Sequence, residues 1–116
     1  MSEEKRKFKR ATTDIAVQFN EEKVDKATKT YLQGVASNCG LGGMFLVTRH
    51  LFSKGSIVNL KFFFKDGDEE VYIEARAIVR RVQRFRSPRG MGLEFFEFSG
   101  FGEKNLEQYI SRILRR

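Results

Sequence analysis

Two short motifs hold the residues best suited to chemistry. Arg6-Lys7-Phe8-Lys9-Arg10 sets two guanidinium groups four positions apart in a basic N-terminal stretch. Asn38-Cys39-Gly40-Leu41-Gly42-Gly43 puts a short amide side chain before a glycine cluster, between two strand-like runs. Guanidinium forks match phosphate oxygens and base edges, and their faces stack on rings. A glycine-rich turn supplies positive φ, lets a flat ligand approach the backbone and exposes amides to an anion. The order of the motifs suggests a mobile cationic arm closing over an anionic ligand held at a tight turn.

Catalysis finds little support. The one histidine, His50, falls in an expected loop and reads as surface or structural. No serine or cysteine has a base partner in sequence context. The acidic pairs Glu3-Glu4, Glu21-Glu22 and Asp68-Glu69-Glu70 read as solvated charge. No metal-ligand spacing occurs, and Gly40-Leu41-Gly42-Gly43 lacks the Lys-Ser/Thr of a phosphate loop. The chain is read as a non-enzyme without a cofactor. Cys39, the single cysteine, cannot make an internal disulfide and reads as a small filler beside the motif, with a redox gate as the alternative.

The charge is basic and uneven: 22 Lys and Arg against 15 Asp and Glu give +7. Lys5 to Arg10 is one cationic run; Arg76, Arg80, Arg81, Arg84, Arg86 and Arg89 form another without an acid between them. Either could be a solvated face, but two runs that converge in space would favour a phosphate-bearing partner.

The 116 residues suffice for one domain with a modest core. Residues 1–11 read as a flexible arm and 12–116 as the folded body. Alternation predicts strands at Thr13–Phe19, Tyr31–Ser37, Met44–Thr48, Ile57–Phe64, Val71–Phe85 and Met91–Phe98. Asp66-Gly67 marks a hairpin, Gly55 a turn, and the break in alternation at Arg80-Arg81 a bulge. Most of the twelve phenylalanines are expected in the core. Leu106, Tyr109, Ile110, Ile113 and Leu114 recur at helical spacing, predicting an amphipathic helix over about 103–115. The fold class is therefore all-β with a terminal helix: a six-stranded antiparallel β-barrel whose C-terminal helix covers an open end or flank. No apolar run reaches a membrane span, and the N-terminus leads into charge, so a cytoplasmic protein without membrane insertion is expected.

With the motifs in this order, the chain resembles the PilZ domain: Arg-x-x-x-Arg before the first strand, then Asp/Asn-x-Ser-x-x-Gly between the second and third. Gly34–Asn38, Gly42-Gly43-Met44-Phe45, Arg80-Arg81-Val82 and Gly90–Phe95 also look like family positions. The resemblance implies a six-stranded barrel with a C-terminal helix that binds cyclic di-GMP, a bacterial second messenger. It implies that Arg6 and Arg10 contact phosphates and guanines, that Asn38 bonds a guanine edge, and that Gly42 and Gly43 permit close approach. Lys5 and Lys9 would add long-range attraction. Gly40 departs from the family serine and removes one hydroxyl, a neutral contact of about 0.5–1.5 kcal/mol. Arm closure would alter a surface read by a downstream protein. The alternatives are an adaptor of the same fold acting only through protein contacts, as in motility, and a basic barrel that binds nucleic acid.

Overall fold

The structure, a computed structural model, describes residues 10–22 and 30–114. Six strands close into one antiparallel barrel: β1 (Arg10–Glu21), β2 (Leu32–Gly40), β3 (Gly43–Val47), β4 (Ile57–Asp66), β5 (Glu69–Gln83) and β6 (Gly90–Phe98). Their order around the barrel is β1-β2-β3-β6-β5-β4. Closure leaves no sheet edge unpaired. One helix, α1 (Gly102–Leu114), follows.

The period-two pattern explains the core. Ile15, Val17 and Phe19 of β1, Val58, Leu60, Phe62 and Phe64 of β4, and Ile73, Ala75, Ala77 and Val79 of β5 all point inward and are buried. Leu106 and Ile110 bring the apolar stripe of α1 onto this core, with Tyr109 stacked on Phe64 at 3.8 Å between ring centroids. Burying a leucine-sized side chain contributes about 1.5–3 kcal/mol. Glu103 in the first turn and Arg112 in the last complement the helix dipole.

Two expectations need correction. The arm does not extend to residue 11: Arg10 pairs with Gly40 and Ala11 with Cys39 in the β1–β2 ladder, and Ala11 is buried. Alanine is too small to signal an inward position, and a bulge between Thr12 and Ile15 breaks the alternation that would have revealed it. Most phenylalanines are core as expected: Phe19, Phe45, Phe62, Phe64 and Phe95 are buried and Phe52 and Phe98 pack on them, while Phe63, Phe85, Phe96 and Phe101 are exposed and Phe8 lies outside the described residues. Glu22 is not merely solvated: its carboxylate accepts two hydrogen bonds from Arg76.

Register shifts mark the other bulges. Arg80 is the extra residue of β5 against β6, and Phe96 the extra residue of β6 against β5. Ser37 is extra in β2 against β3. Bulges bend strands and re-aim side chains, as closing a small barrel requires.

Candidate functional site

The β1–β2 ladder brings the two sequence motifs together. Arg10 is the first residue of β1, and its Nη1 donates to Oδ1 of Asn38 at 3.1 Å. Twenty-eight residues separate the pair in sequence. Both side chains are half-buried. Asn38 presents its amide oxygen to the guanidinium; the amide NH2 group is a donor.

Beside this pair lies an open cleft of about 670 Å³, lined among others by Arg10, Leu41, Gly42, Arg80, Arg81 and Glu94. The volume falls in the range of small-molecule sites. The sequence motifs alone did not place the second arginine run in the same cleft as Arg10. Antiparallel pairing does so: β3 joins β6 and β6 joins β5, carrying Arg80 and Arg81 round to the β2–β3 hairpin. The signal was present in the broken alternation at Arg80-Arg81, since the bulge there is what aims two consecutive arginines outward.

Arg81 has a prepared seat. Its guanidinium carbon lies 5.5 Å from the centroid of the Phe45 ring. Gly92 sits between them in the sheet, paired with Phe45 on one side and Arg81 on the other. A Cβ there would meet only Arg81, its Cβ at 3.5 Å and its Nε at 3.6 Å. Gly90 makes room for the same ring: a Cβ would meet Phe45 carbons at 2.8 and 2.9 Å and the Leu46 carbonyl at 2.3 Å.

The glycines of the hairpin work differently from the expectation. The described positive-φ glycines are Gly55, Gly67 and Gly100; Gly40, Gly42 and Gly43 are not among them. Gly40 is buried at the end of β2 opposite Arg10. Gly42 lines the cleft, and its carbonyl accepts from the Phe95 N–H at 2.9 Å, tying the hairpin to β6. Gly43 is bare because β6 fills its side-chain space: a Cβ would fall 1.9 Å from the Leu93 carbonyl oxygen. Close approach at Gly43 is thus between two strands. Cys39 is fully buried, and burial pushes its thiol up to about 12 against the opposing pull of Arg10. A thiol held neutral and sealed from solvent is a filler, not a redox gate.

The cleft is electrically mixed. Arg10, Arg80 and Arg81 share it with Glu94, Glu97 and Glu103. Arg80 donates through Nε to Glu94. Glu97 accepts from Arg76, which also grips Glu22 and lies 5.0 Å from the Phe96 ring centroid. These carboxylates raise the Arg76 pKa, Glu22 most and Glu97 next. Arg6, Lys5 and Lys9, also expected at the site, lie outside the described residues. Among the described residues no cluster of His, Cys, Asp and Glu could hold a metal ion. His50 is exposed, with its backbone N–H donating to Thr48 Oγ1 at 3.0 Å.

Solved structures share this architecture. The Bacillus subtilis inhibitor of motility MotI/DgrA is similar with a TM-score of 0.77 and 23% identity over 93% of this chain, which spans 50% of that protein. The PilZ domain of Escherichia coli YcgR, solved with cyclic di-GMP, is similar with a TM-score of 0.61 and 15% identity, covering 96% of this chain and 92% of that one. The PilZ domain of CeSA from a cellulose-synthesizing bacterium has a TM-score of 0.57 and 16% identity, covering 93% and 99%. At these identities the likeness is one of fold. No curated protein sequence matches the chain. The PilZ domain model matches residues 4–112, nearly the whole chain, and the chain therefore belongs to the PilZ domain family.

Proposed function

We propose that this protein is a non-catalytic receptor for cyclic di-GMP. The observation that carries the reading is the contact of Arg10 with Asn38 at the cleft that Gly42, Arg80 and Arg81 also line. Two phosphates and two guanines need cationic forks, a polar group for base edges and an open floor. Arg10 and Arg81 supply forks, Asn38 the amide, and the Leu41-Gly42 turn the low rim.

Charge decides how the site would operate. The described cleft carries as many carboxylates as guanidinium groups, so it does not attract a dianion strongly by itself. Lys5, Arg6 and Lys9 would supply the missing positive potential. Arg10 anchors the stretch, because it is already fixed in β1. Binding would then draw the preceding residues over the ligand and create a new surface for a protein partner.

Titration calorimetry of cyclic di-GMP into the full chain tests the reading. Saturable binding that weakens in Arg6→Ala and Arg10→Ala supports it; no heat at high micromolar ligand contradicts it. A second reading, an adaptor that works by protein contacts alone, is favoured by two features. The Arg80–Glu94 pair and the Gly40 departure both remove potential ligand contacts. That reading expects a captured partner whose binding does not change with nucleotide.

A further inference from the structure

The barrel end away from the β2–β3 hairpin carries a second cationic feature that the cleft does not use. It is built from the segments 48–56 and 84–89, the second joining β5 to β6. The two are tied together: the Thr48 N–H donates to the Arg89 carbonyl at 3.1 Å. Gln83 Nε2 donates to the Pro88 carbonyl at 2.7 Å, and Gln83 pairs with Gly90 at the base of the loop. The loop is therefore anchored at its base rather than an untethered tail.

These segments hold Arg49, Lys54, Arg84, Arg86 and Arg89 and no aspartate or glutamate. All five are exposed. Among the described residues no ion pair engages them, unlike Arg76 and Arg80 on the same strand run. Between Arg84 and Arg86 stands Phe85, 98% exposed. It is the one large apolar side chain in the two segments that is exposed.

We propose that this end of the barrel docks peripherally on an anionic lipid bilayer, with Phe85 entering the interfacial layer and the five cations facing headgroup phosphates. Charge complementarity selects the occupant. Basic residues near an anionic leaflet each add attraction, and an aromatic ring beside them partitions into the interface. An ordinary protein interface needs about 800 Å² from each side around an apolar centre, which one ring does not provide. A single-strand-binding surface stacks successive bases on several rings along a groove, and the exposed rings here are Phe85 and the imidazole of His50 alone. No described helix is long and apolar enough to cross a membrane, so the contact is superficial. Arg10 and Gly42 lie at the other end of the strands, which leaves the cleft open in the docked molecule.

Flotation of the full chain with phosphatidylglycerol–phosphatidylcholine vesicles, against phosphatidylcholine alone, tests the proposal. At about 0.1 M salt the protein is expected on the anionic vesicles only, and to leave them as salt rises. Phe85→Ala should weaken binding about fivefold. Arg84→Glu with Arg86→Glu should weaken it at least about a hundredfold. Both variants should melt like the parent and titrate cyclic di-GMP as the parent does, because none of these residues lines the cleft. Absence from anionic vesicles, or unchanged binding in both variants, overturns the proposal. So does binding of single-stranded oligonucleotides, but not vesicles, that the same substitutions abolish.

Discussion

The two ends of the β3–β6 ladder are built on opposite rules. At one end the β2–β3 hairpin is committed atom by atom: Gly43 is filled by the Leu93 carbonyl, Gly42 accepts from Phe95, and Cys39 is sealed in the core. At the other, the β5–β6 loop projects three arginines and a phenylalanine into solvent. Glycine at the first end records backbone meeting backbone. Arginine at the second is charge that no described acid has claimed. Residue type alone does not separate these cases, because Arg76 and Arg80, in the same run of sequence, are held by Glu22, Glu97 and Glu94.

The largest test of the contrast is Gly43→Ala. Its Cβ would overlap the Leu93 backbone, where nothing flexible can yield, so β3 must separate from β6. A loss of more than about 3 kcal/mol is expected in urea unfolding, as for other severe steric insertions. Gly92→Ala is the control: its nearest contacts are Arg81 atoms at 3.5 and 3.6 Å, and its loss should stay below about 1 kcal/mol. Similar midpoints for the two variants would break the account of the hairpin.

Next in size is Leu106→Ala. Leu106 is fully buried on the core-facing side of α1, and truncation should cost about 2–5 kcal/mol by the same measurement. A loss near zero would mean the helix does not seal the barrel.

Arg10→Ala should act on binding rather than on folding. If the proposed site holds cyclic di-GMP, losing a charged contact of about 1.5–3 kcal/mol should weaken its binding by roughly tenfold or more, with little change in the melting temperature. The smallest expected effect is Arg76→Ala. Its pairs with Glu22 and Glu97 are screened by solvent, so the urea midpoint should barely move.

Cys39 adds a pH test. Its folded pKa, about 12, lies above the ordinary 9.0. The stability that the neutral thiol contributes is fully present below pH 9 and is lost as pH rises toward 12. Native protein should resist iodoacetamide near pH 8.5 and react only on unfolding, read by mass spectrometry. Rapid alkylation of the native thiol would return it to the list of reactive groups.

Much of this was legible in one dimension. Period-two runs such as Val58-Leu60-Phe62-Phe64 fix which face of a strand is buried before any partner is known. Asp66-Gly67 and the stripe Leu106-Ile110-Ile113 are equally local. The broken alternation at Arg80-Arg81 even marked a bulge. What remained hidden depends on contacts across the barrel. Arg76 and Glu22 are 54 residues apart, and nothing in either neighbourhood announces the other. The meeting of Arg80 and Arg81 with Arg10 needs the strand order, with β6 between β3 and β5. The role of Gly43 needs the β3–β6 register.

The central claim is that Arg10, set against Asn38, holds a cyclic dinucleotide in the cleft beside it. Calorimetric titration of cyclic di-GMP into the parent chain and Arg10→Ala, with matched thermal melts, tests it most directly. The account predicts saturable binding to the parent and roughly tenfold or greater weakening in a variant that melts normally. Equal affinity in the two proteins, or no heat from the parent at high micromolar ligand, would contradict it.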